Sequence, residues 1–275
     1  MSKGPYLTVD CVVFSKDGKV LVINRKNEPL GWAFPGGIID ASDKSIRYAA
    51  FRELVEETGV SDLTEENIRF YTIMGNINRD PRGHYMTFVY TATINKNASD
   101  IKVESRDDAR DASFQSPQTF LKKLVFDHAA IYEKIVSENR LPQFGGSPFS
   151  ADHAIGAKKS KYFTMKRPVL ELSVVPVYNG KYYSYKQEFP RGDLKYNENV
   201  SDSVLRVLAD KTNENYTQVP VYKGFFDYSA GFISRKLHVV LCFIVELNKA
   251  PNNCLIIDEK KLNSVGQTVL AHVRK

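Results

Sequence analysis

Glu53, Glu56 and Glu57 are the residues of this sequence best suited to chemistry. They stand at i, i+3 and i+4, so a helix places them on neighbouring positions of one face. Three carboxylates crowded there repel one another. A hard cation such as Mg2+ or Mn2+ relieves that repulsion and prefers oxygen ligands. Such an ion binds a diphosphate, offsets its charge and lowers the pKa of a bound water. Gly36 and Gly37 let the backbone turn sharply before the helix, and Gly59 suits its C-terminal end. Taken on carboxylates alone, the favoured reading is an acidic solvated helix face with Arg52 as its ion-pair partner.

The elements that must position these residues follow from periodicity. Tyr6 to Phe14 and Val20 to Asn24 read as a hairpin around Lys16-Asp17-Gly18. Residues 44–58 read as a helix, with Ile46, Ala49, Ala50 and Leu54 near helical spacing. Strands are expected at 68–76 and 84–95, and a helix over 127–138. Beyond Arg140 the texture changes. Gly145-Gly146-Ser147-Pro148 and Lys158-Lys159-Ser160-Lys161 suggest a linker with a basic end. Strand-like runs resume at Val169–Val177 and Tyr182–Gln187. Helical spacing returns at 201–211, and an apolar strand is expected at Leu237–Leu247.

The bulk properties bound the answer. At 275 residues the chain favours two domains. Its 43% hydrophobic and 25% charged residues are ordinary for a globular protein. No apolar run reaches bilayer length, so no membrane partner is expected. The start lacks the apolar core of a signal peptide. Cys11, Cys242 and Cys254 show no paired spacing, which argues against a disulfide framework or a zinc site and favours a cytoplasmic setting. The net charge of +6 is uneven: residues 1–140 carry −1 and residues 141–275 carry +7. That surplus reads either as a solvated basic surface or as a patch for nucleic acid or another polyanion.

The glycine turn together with Arg52-Glu53-Leu54-Val55-Glu56-Glu57-Thr58-Gly59-Val60 resembles the Nudix box, G-x5-E-x7-R-E-U-x-E-E-x-G-U, with U aliphatic. The resemblance implies a Nudix α/β/α sandwich around a mixed sheet. It also implies metal-dependent hydrolysis of a nucleoside diphosphate linked to another moiety. Arg52, Glu53, Glu56 and Glu57 are then the expected catalytic residues. Glu53, Glu56, Glu57 and Gly37 are the expected metal ligands. The sequence departs from the box at its earlier glutamate. Position 44 holds Lys44, and Gly37 to Arg52 is one residue longer than usual, leaving Asp43 or Asp40 to stand in.

Asn78-Arg79-Asp80-Pro81-Arg82-Gly83, Asp107-Asp108-Ala109 and Leu124-Val125-Phe126-Asp127-His128 look like the ADP-ribose pyrophosphatases and the related Nudix transcriptional regulators. This implies ADP-ribose or a related NAD-derived nucleotide as the small-molecule partner. Arg25, Arg79 and Arg82 are expected substrate contacts, since guanidinium forks match phosphate oxygens. Trp32 and Phe34 are expected to stack on a base. Glu53 is the first choice of general base, with Glu104, Asp107, Asp108 and Asp111 in a candidate loop. His128 reads as a helix N-terminal or core histidine before a catalytic one.

The order of hairpin, Pro-Gly turn, helix and strands occurs twice. Phe34-Pro35-Gly36-Gly37 corresponds to Phe189-Pro190-Arg191-Gly192, and Arg52-Glu53-Leu54 to Arg206-Val207-Leu208. The expected organisation is a Nudix domain over 1–140, a basic linker over 141–167 and a degenerate Nudix-like domain over 168–275. In the second copy Glu198 holds the earlier box position, and Gln187 to Gly192 and Ser229 to Phe232 carry the likeness. Val207 replaces the first helix glutamate, Asp210 and Lys211 replace the pair, and Asn213 replaces the glycine, so no hydrolysis is expected there. The two copies are expected to pair with each other, or the chain to form a homodimer. Two other readings stay open. One is a non-catalytic ADP-ribose sensor, favoured by Lys44. The other is a hydrolase of RNA caps or NAD caps, favoured by the basic half.

Overall fold

The structure is a computed structural model, and it describes residues 4–107, 109–138, 168–196, 198–230 and 236–274. The linker expected over 141–167, the candidate base Asp108 and Gly231-Phe232 lie outside the described residues. The chain divides into two compact units, Tyr6–Arg167 and Pro168–Lys275, and Pro5 groups with the later one.

The first unit comprises β1 (Tyr6–Ser15), β2 (Val20–Arg25), β3 (Trp32–Ala33), β4 (Gly36–Ile38), α1 (Ile46–Thr58), β5 (Arg69–Met74), β6 (Tyr85–Ile94), β7 (Ala109–Gln115), α2 (Pro117–Phe120) and α3 (His128–Ser137). β1 and β6 run parallel over their whole lengths, from Tyr6 opposite Tyr85 to Ser15 opposite Ile94. Both are buried on both faces, which explains their near-continuous apolar sequences. β2 follows β1 through the turn at Gly18, whose φ of 77° suits a residue without Cβ. β4 lies antiparallel on β1, with Gly36 opposite Asp10 and Gly37 opposite Val9.

Alternation along β1 assigns its two faces. Cys11 points to α1, where its Sγ donates to the Ala50 carbonyl at 3.4 Å. Val12 and Phe14 point the other way, into a core shared with Phe34, Phe120, Ile131 and Ile135 of the α3 side. The sheet is therefore sandwiched between α1 and α3, the expected layering. α1 begins one or two residues later than its apolar spacing suggests. Ser45 is the N-cap and accepts from Tyr48 N at 2.9 Å, a bond that typically contributes about 1 kcal/mol. Gly59 ends the helix in the left-handed region at φ 61°.

The second unit comprises β8 (Val169–Tyr178), β9 (Lys181–Ser184), β10 (Arg191–Asp193), α4 (Val200–Thr212), β11 (Val221–Ala230), β12 (Lys236–Glu246), β13 (Leu255–Ile256) and α5 (Ser264–Val273). β8 and β12 run parallel, as β1 and β6 do. β10 lies antiparallel on β8, with Arg191 opposite Ser173 and Gly192 opposite Leu172. α4 is capped by Asn199 and ends at Asn213 in the left-handed region. Val269, Leu270 and Val273 of α5 join a core with Val175, Phe189, Val240 and Cys242. Among the described residues no helix is long and apolar enough to cross a membrane.

Candidate active site

The approach of β4 to α1 decides the geometry of the carboxylates. A Cβ on Gly37 would lie 2.5–2.7 Å from the carboxyl atoms of Glu53, so only glycine leaves room for that side chain. Gly36 N donates to Glu57 Oε2 at 2.8 Å, which turns the third glutamate under the strand. Glu57 is 4% exposed, whereas Glu56 stands further out. Burial pushes the Glu57 carboxyl up to about 8, against the opposing Gly36 N–H. Burial also pushes Glu53 up to about 6, although Arg52 pulls it down.

Arg52 ties the trio together. Its Nη1 donates to Glu53 Oε1 at 2.7 Å and to Glu56 Oε2 at 3.0 Å. Its Nε and Nη2 form a bidentate pair with Asp43 at 2.9 Å each, and Nη2 also reaches the Ile38 carbonyl. Asp43 thus fills the place of the displaced box glutamate. Asp40 holds Asp43 by its backbone N–H, and Lys44 turns away to Glu65 at 3.0 Å. The second unit repeats this frame. Arg206 makes a bidentate pair with Glu198 at 2.8 Å and bonds the Asp193 carbonyl.

Among the described residues no three carboxylate, histidine or cysteine groups converge as a ready cation cage. Arg52 occupies the space between Glu53 and Glu56, and Glu57 is turned to Gly36. The donor set still fits a hard cation. It is all oxygen, and Gly37 leaves room beside it for the Glu53 carboxyl.

Two arginines meet on one ring. The guanidiniums of Arg25 and Arg82 lie 5.0 and 5.1 Å from the centroid of Phe126. Phe126 itself sits at φ 58°, an unusual conformation for an aromatic residue. Arg25 also acts on Glu57, holding its carboxyl down against burial, while Arg82 makes a bidentate pair with Asp80 at 3.0 and 2.7 Å. Sequence reasoning did not single out Phe126 as a contact; Arg25 and Phe126 are a hundred residues apart, and only the fold joins them.

Two expected contacts are corrected. Phe34 is 1% exposed, stacked on His128 at 5.0 Å and edge-on to Phe120, so it serves the core and cannot reach a base. The Arg79 side chain is 3% exposed and makes a bidentate pair with Asp127 at 2.9 and 2.6 Å, with Asp10 at 3.5 Å. It is a buried structural cation, not a phosphate contact. Trp32 is half-buried and packs on the core from its edge. His128 is buried, accepts from Phe34 N at 3.0 Å and faces Asp10 at 3.4 Å, so it is a core histidine. Glu104 is exposed and paired with Arg106; Asp107 and Asp111 are exposed.

The NUDIX domain model matches residues 4–135. An ADP-ribose pyrophosphatase of Methanocaldococcus jannaschii is 33% identical over 136 residues, 49% of this chain and 72% of that protein. The chain belongs to the Nudix hydrolase family. The ADPR responsive transcriptional repressor NtrR of Acinetobacter baylyi is 31% identical over 153 residues, 53% of this chain. The match spans 59% of that repressor's length. The Nudix domain of Shewanella oneidensis NrtR, solved with ADP ribose, is 30% identical over 50% of this chain and 90% of that chain, with a TM-score of 0.44.

Proposed function

We propose that the first unit is a metal-dependent pyrophosphohydrolase acting on ADP-ribose or a related NAD-derived nucleotide. The observation that carries this reading is the carboxylate face of α1 set under the Gly36-Gly37 strand, with Arg25 close enough to act on Glu57. Glu53, Glu56 and Glu57, with the Gly37 carbonyl, would hold Mg2+ or Mn2+. When bound, that ion supplies charge neutralisation at the diphosphate and acidifies water.

The chain's own residues do the rest. Arg25 would grip phosphate oxygens through its guanidinium, and Arg82, half-exposed, would do so by exchanging its bidentate pair with Asp80 for the phosphate. Asp43 fixes the rotamer of Arg52, and Arg52 sets Glu53 and Glu56. Glu53, with a carboxyl near neutrality, takes the proton from the attacking water. Addition of water across the P–O–P bridge of ADP-ribose gives AMP and ribose 5-phosphate. The second unit is read as a diverged copy that does not hydrolyse. A Cβ on Gly192 would meet Val207 Cγ2 at 2.7 Å, as one on Gly37 would meet Glu53, so a valine stands where the first carboxylate would be.

The test is kcat/KM across ADP-ribose, NAD(H), FAD, dinucleoside polyphosphates, nucleoside triphosphates and NAD-capped RNA, with Mg2+ or Mn2+. The highest value for ADP-ribose or another NAD-derived small nucleotide supports the proposal. Preference for capped RNA replaces it with the RNA-end reading. Tight binding of ADP-ribose with no turnover of any compound replaces it with a sensor.

A further inference from the structure

The second unit carries an open cleft of about 640 Å³ that includes Gly192 and Lys211, the counterparts of Gly37 and Glu57. Its walls include Tyr185, Lys186, Arg191, Gly192 and Lys211. The correspondence of Gly192 and Val207 with Gly37 and Glu53 fixes the helical register, so Asp210 stands where Glu56 does and Lys211 where Glu57 does. Three carboxylates in the first unit become one apolar group, one carboxylate and one ammonium in the second. The local charge at these three positions changes from −3 to neutral. A divalent cation loses two of its three carboxylate ligands there, and the Lys211 ammonium offers an anion a partner in place of the third.

Two lysines converge on the cavity. The Nζ atoms of Lys186 and Lys211 lie 5.3 and 5.9 Å from the Tyr185 ring centroid. Among the described residues neither lysine forms an ion pair. Lys186 is presented by a two-residue turn in which Lys186 and Gln187 both have positive φ, 50° and 65°. The turn is closed by Tyr185 N to Glu188 O at 2.8 Å and Glu188 N to Tyr185 O at 3.0 Å. Such turns favour Asn-Gly, and two long side chains there cost about 1 kcal/mol or more each. Arg191 is paired with Glu171 and reaches the Tyr228 hydroxyl at 3.3 Å, yet its buried Nε has no hydrogen-bond partner among the described residues. Of the acidic walls, Glu171 is engaged by Arg191, and Glu188 and Asp193 are exposed at the rim.

We propose that this cavity binds the phosphate groups of a nucleotide directly, with Lys211 and Lys186 supplying the positive charge that the first unit would draw from a metal ion. Tyr185 adds an aromatic face beside the phosphates, which favours a nucleotide over a bare inorganic anion. The site takes its ligand without a cation, so its readout is independent of turnover at α1.

The full chain, Lys211→Glu, Lys186→Glu and Arg82→Ala are each titrated calorimetrically in EDTA with ADP-ribose and, separately, with inorganic pyrophosphate. Both lysines are exposed, and circular dichroism checks that each variant is folded. The expected result is a metal-independent ADP-ribose site in the full chain. Its Kd rises at least about tenfold in either lysine variant, roughly 1.4 kcal/mol, and stays within about twofold in Arg82→Ala. The absence of that site, or its survival in both lysine variants, overturns the proposal. Pyrophosphate binding as tight as ADP-ribose overturns the nucleotide assignment.

Discussion

Asp43 and Arg52 face each other through two hydrogen bonds of 2.9 Å, nine residues apart in sequence. Glu198 and Arg206 do the same at 2.8 Å, eight residues apart. The first unit thus absorbs a one-residue lengthening of the loop by exchanging glutamate for the shorter aspartate one position earlier. Removing Asp43 would leave Arg52, 15% exposed on its side chain, without its main partner. Asp43→Ala is expected to cost about 1–3 kcal/mol of stability and to lower kcat/KM at least tenfold by releasing Glu53 and Glu56. Lys44→Ala, which loses a surface pair with Glu65, is expected to change stability by under about 1 kcal/mol. Thermal denaturation and steady-state kinetics on the two variants check this.

Gly37 is expected to tolerate no side chain for activity. The Cβ of Gly37→Ala would occupy the space of the Glu53 carboxyl, and that flexible side chain would swing aside. Stability is expected to change by under about 1.5 kcal/mol, because the displaced group is a side-chain end. The kcat is expected to fall about a hundredfold or more, because the displaced group is the proposed base. Equal and small losses in both quantities would contradict that role for Glu53.

The raised carboxyls give a pH signature. Burial holds Glu57 at about 8 and Glu53 at about 6, so both bind protons in the folded chain where the unfolded chain has released them. Between about pH 4.5 and 8 the folded state binds more protons, so metal-free stability falls as pH rises through that window. Metal binding needs both groups ionised and releases protons. Titration of Mn2+ at pH 6.5 in buffers of different ionisation enthalpy is expected to show proton release, with Kd falling as pH rises toward 8. A pH-independent Kd would contradict this.

The buried network behind the site sets acid stability. Burial raises the Asp10 carboxyl, but His128, Arg79 and the Thr87 hydroxyl outweigh it and hold the group at about 2. Its folded value lies below the unfolded one, so it contributes stability above about pH 4 that is lost as pH falls toward 2. The contribution is about 2 kcal/mol. Asp127→Ala, which removes the bidentate partner of Arg79 and leaves it Asp10 at 3.5 Å, is expected to cost about 1.5–3 kcal/mol. Urea denaturation between pH 2 and 5 measures both effects.

What the sequence disclosed, and what it did not, follows from the range of each signal. Glu53, Glu56, Glu57 and Gly37 lie within about twenty residues, so helical spacing and a glycine turn place them before any contact is known. The long strands β1, β6, β8 and β12 announce themselves by apolar runs. β7, β11 and α5 do not. Ala109–Gln115 carries Arg110 and Asp111 at its start, Val221–Ala230 is interrupted by Lys223, Gly224 and Asp227, and Ser264–Val273 holds Gly266 and β-branched residues that weaken helical propensity. The side-chain roles were harder still. Arginine at 79 and at 82 look alike in sequence, yet Asp127 and Asp10 bury the first while Phe126 presents the second.

The carboxylate face of α1 is proposed to cleave the diphosphate of a small nucleotide. That cleavage is tested most directly by AMP release from ADP-ribose in Mg2+, measured for the full chain and for Glu56→Gln. The expected result is turnover that stops in EDTA and falls about a hundredfold or more in Glu56→Gln, with ADP-ribose still bound by the variant. Binding of ADP-ribose by the full chain without AMP release, or undiminished release by Glu56→Gln, would contradict it.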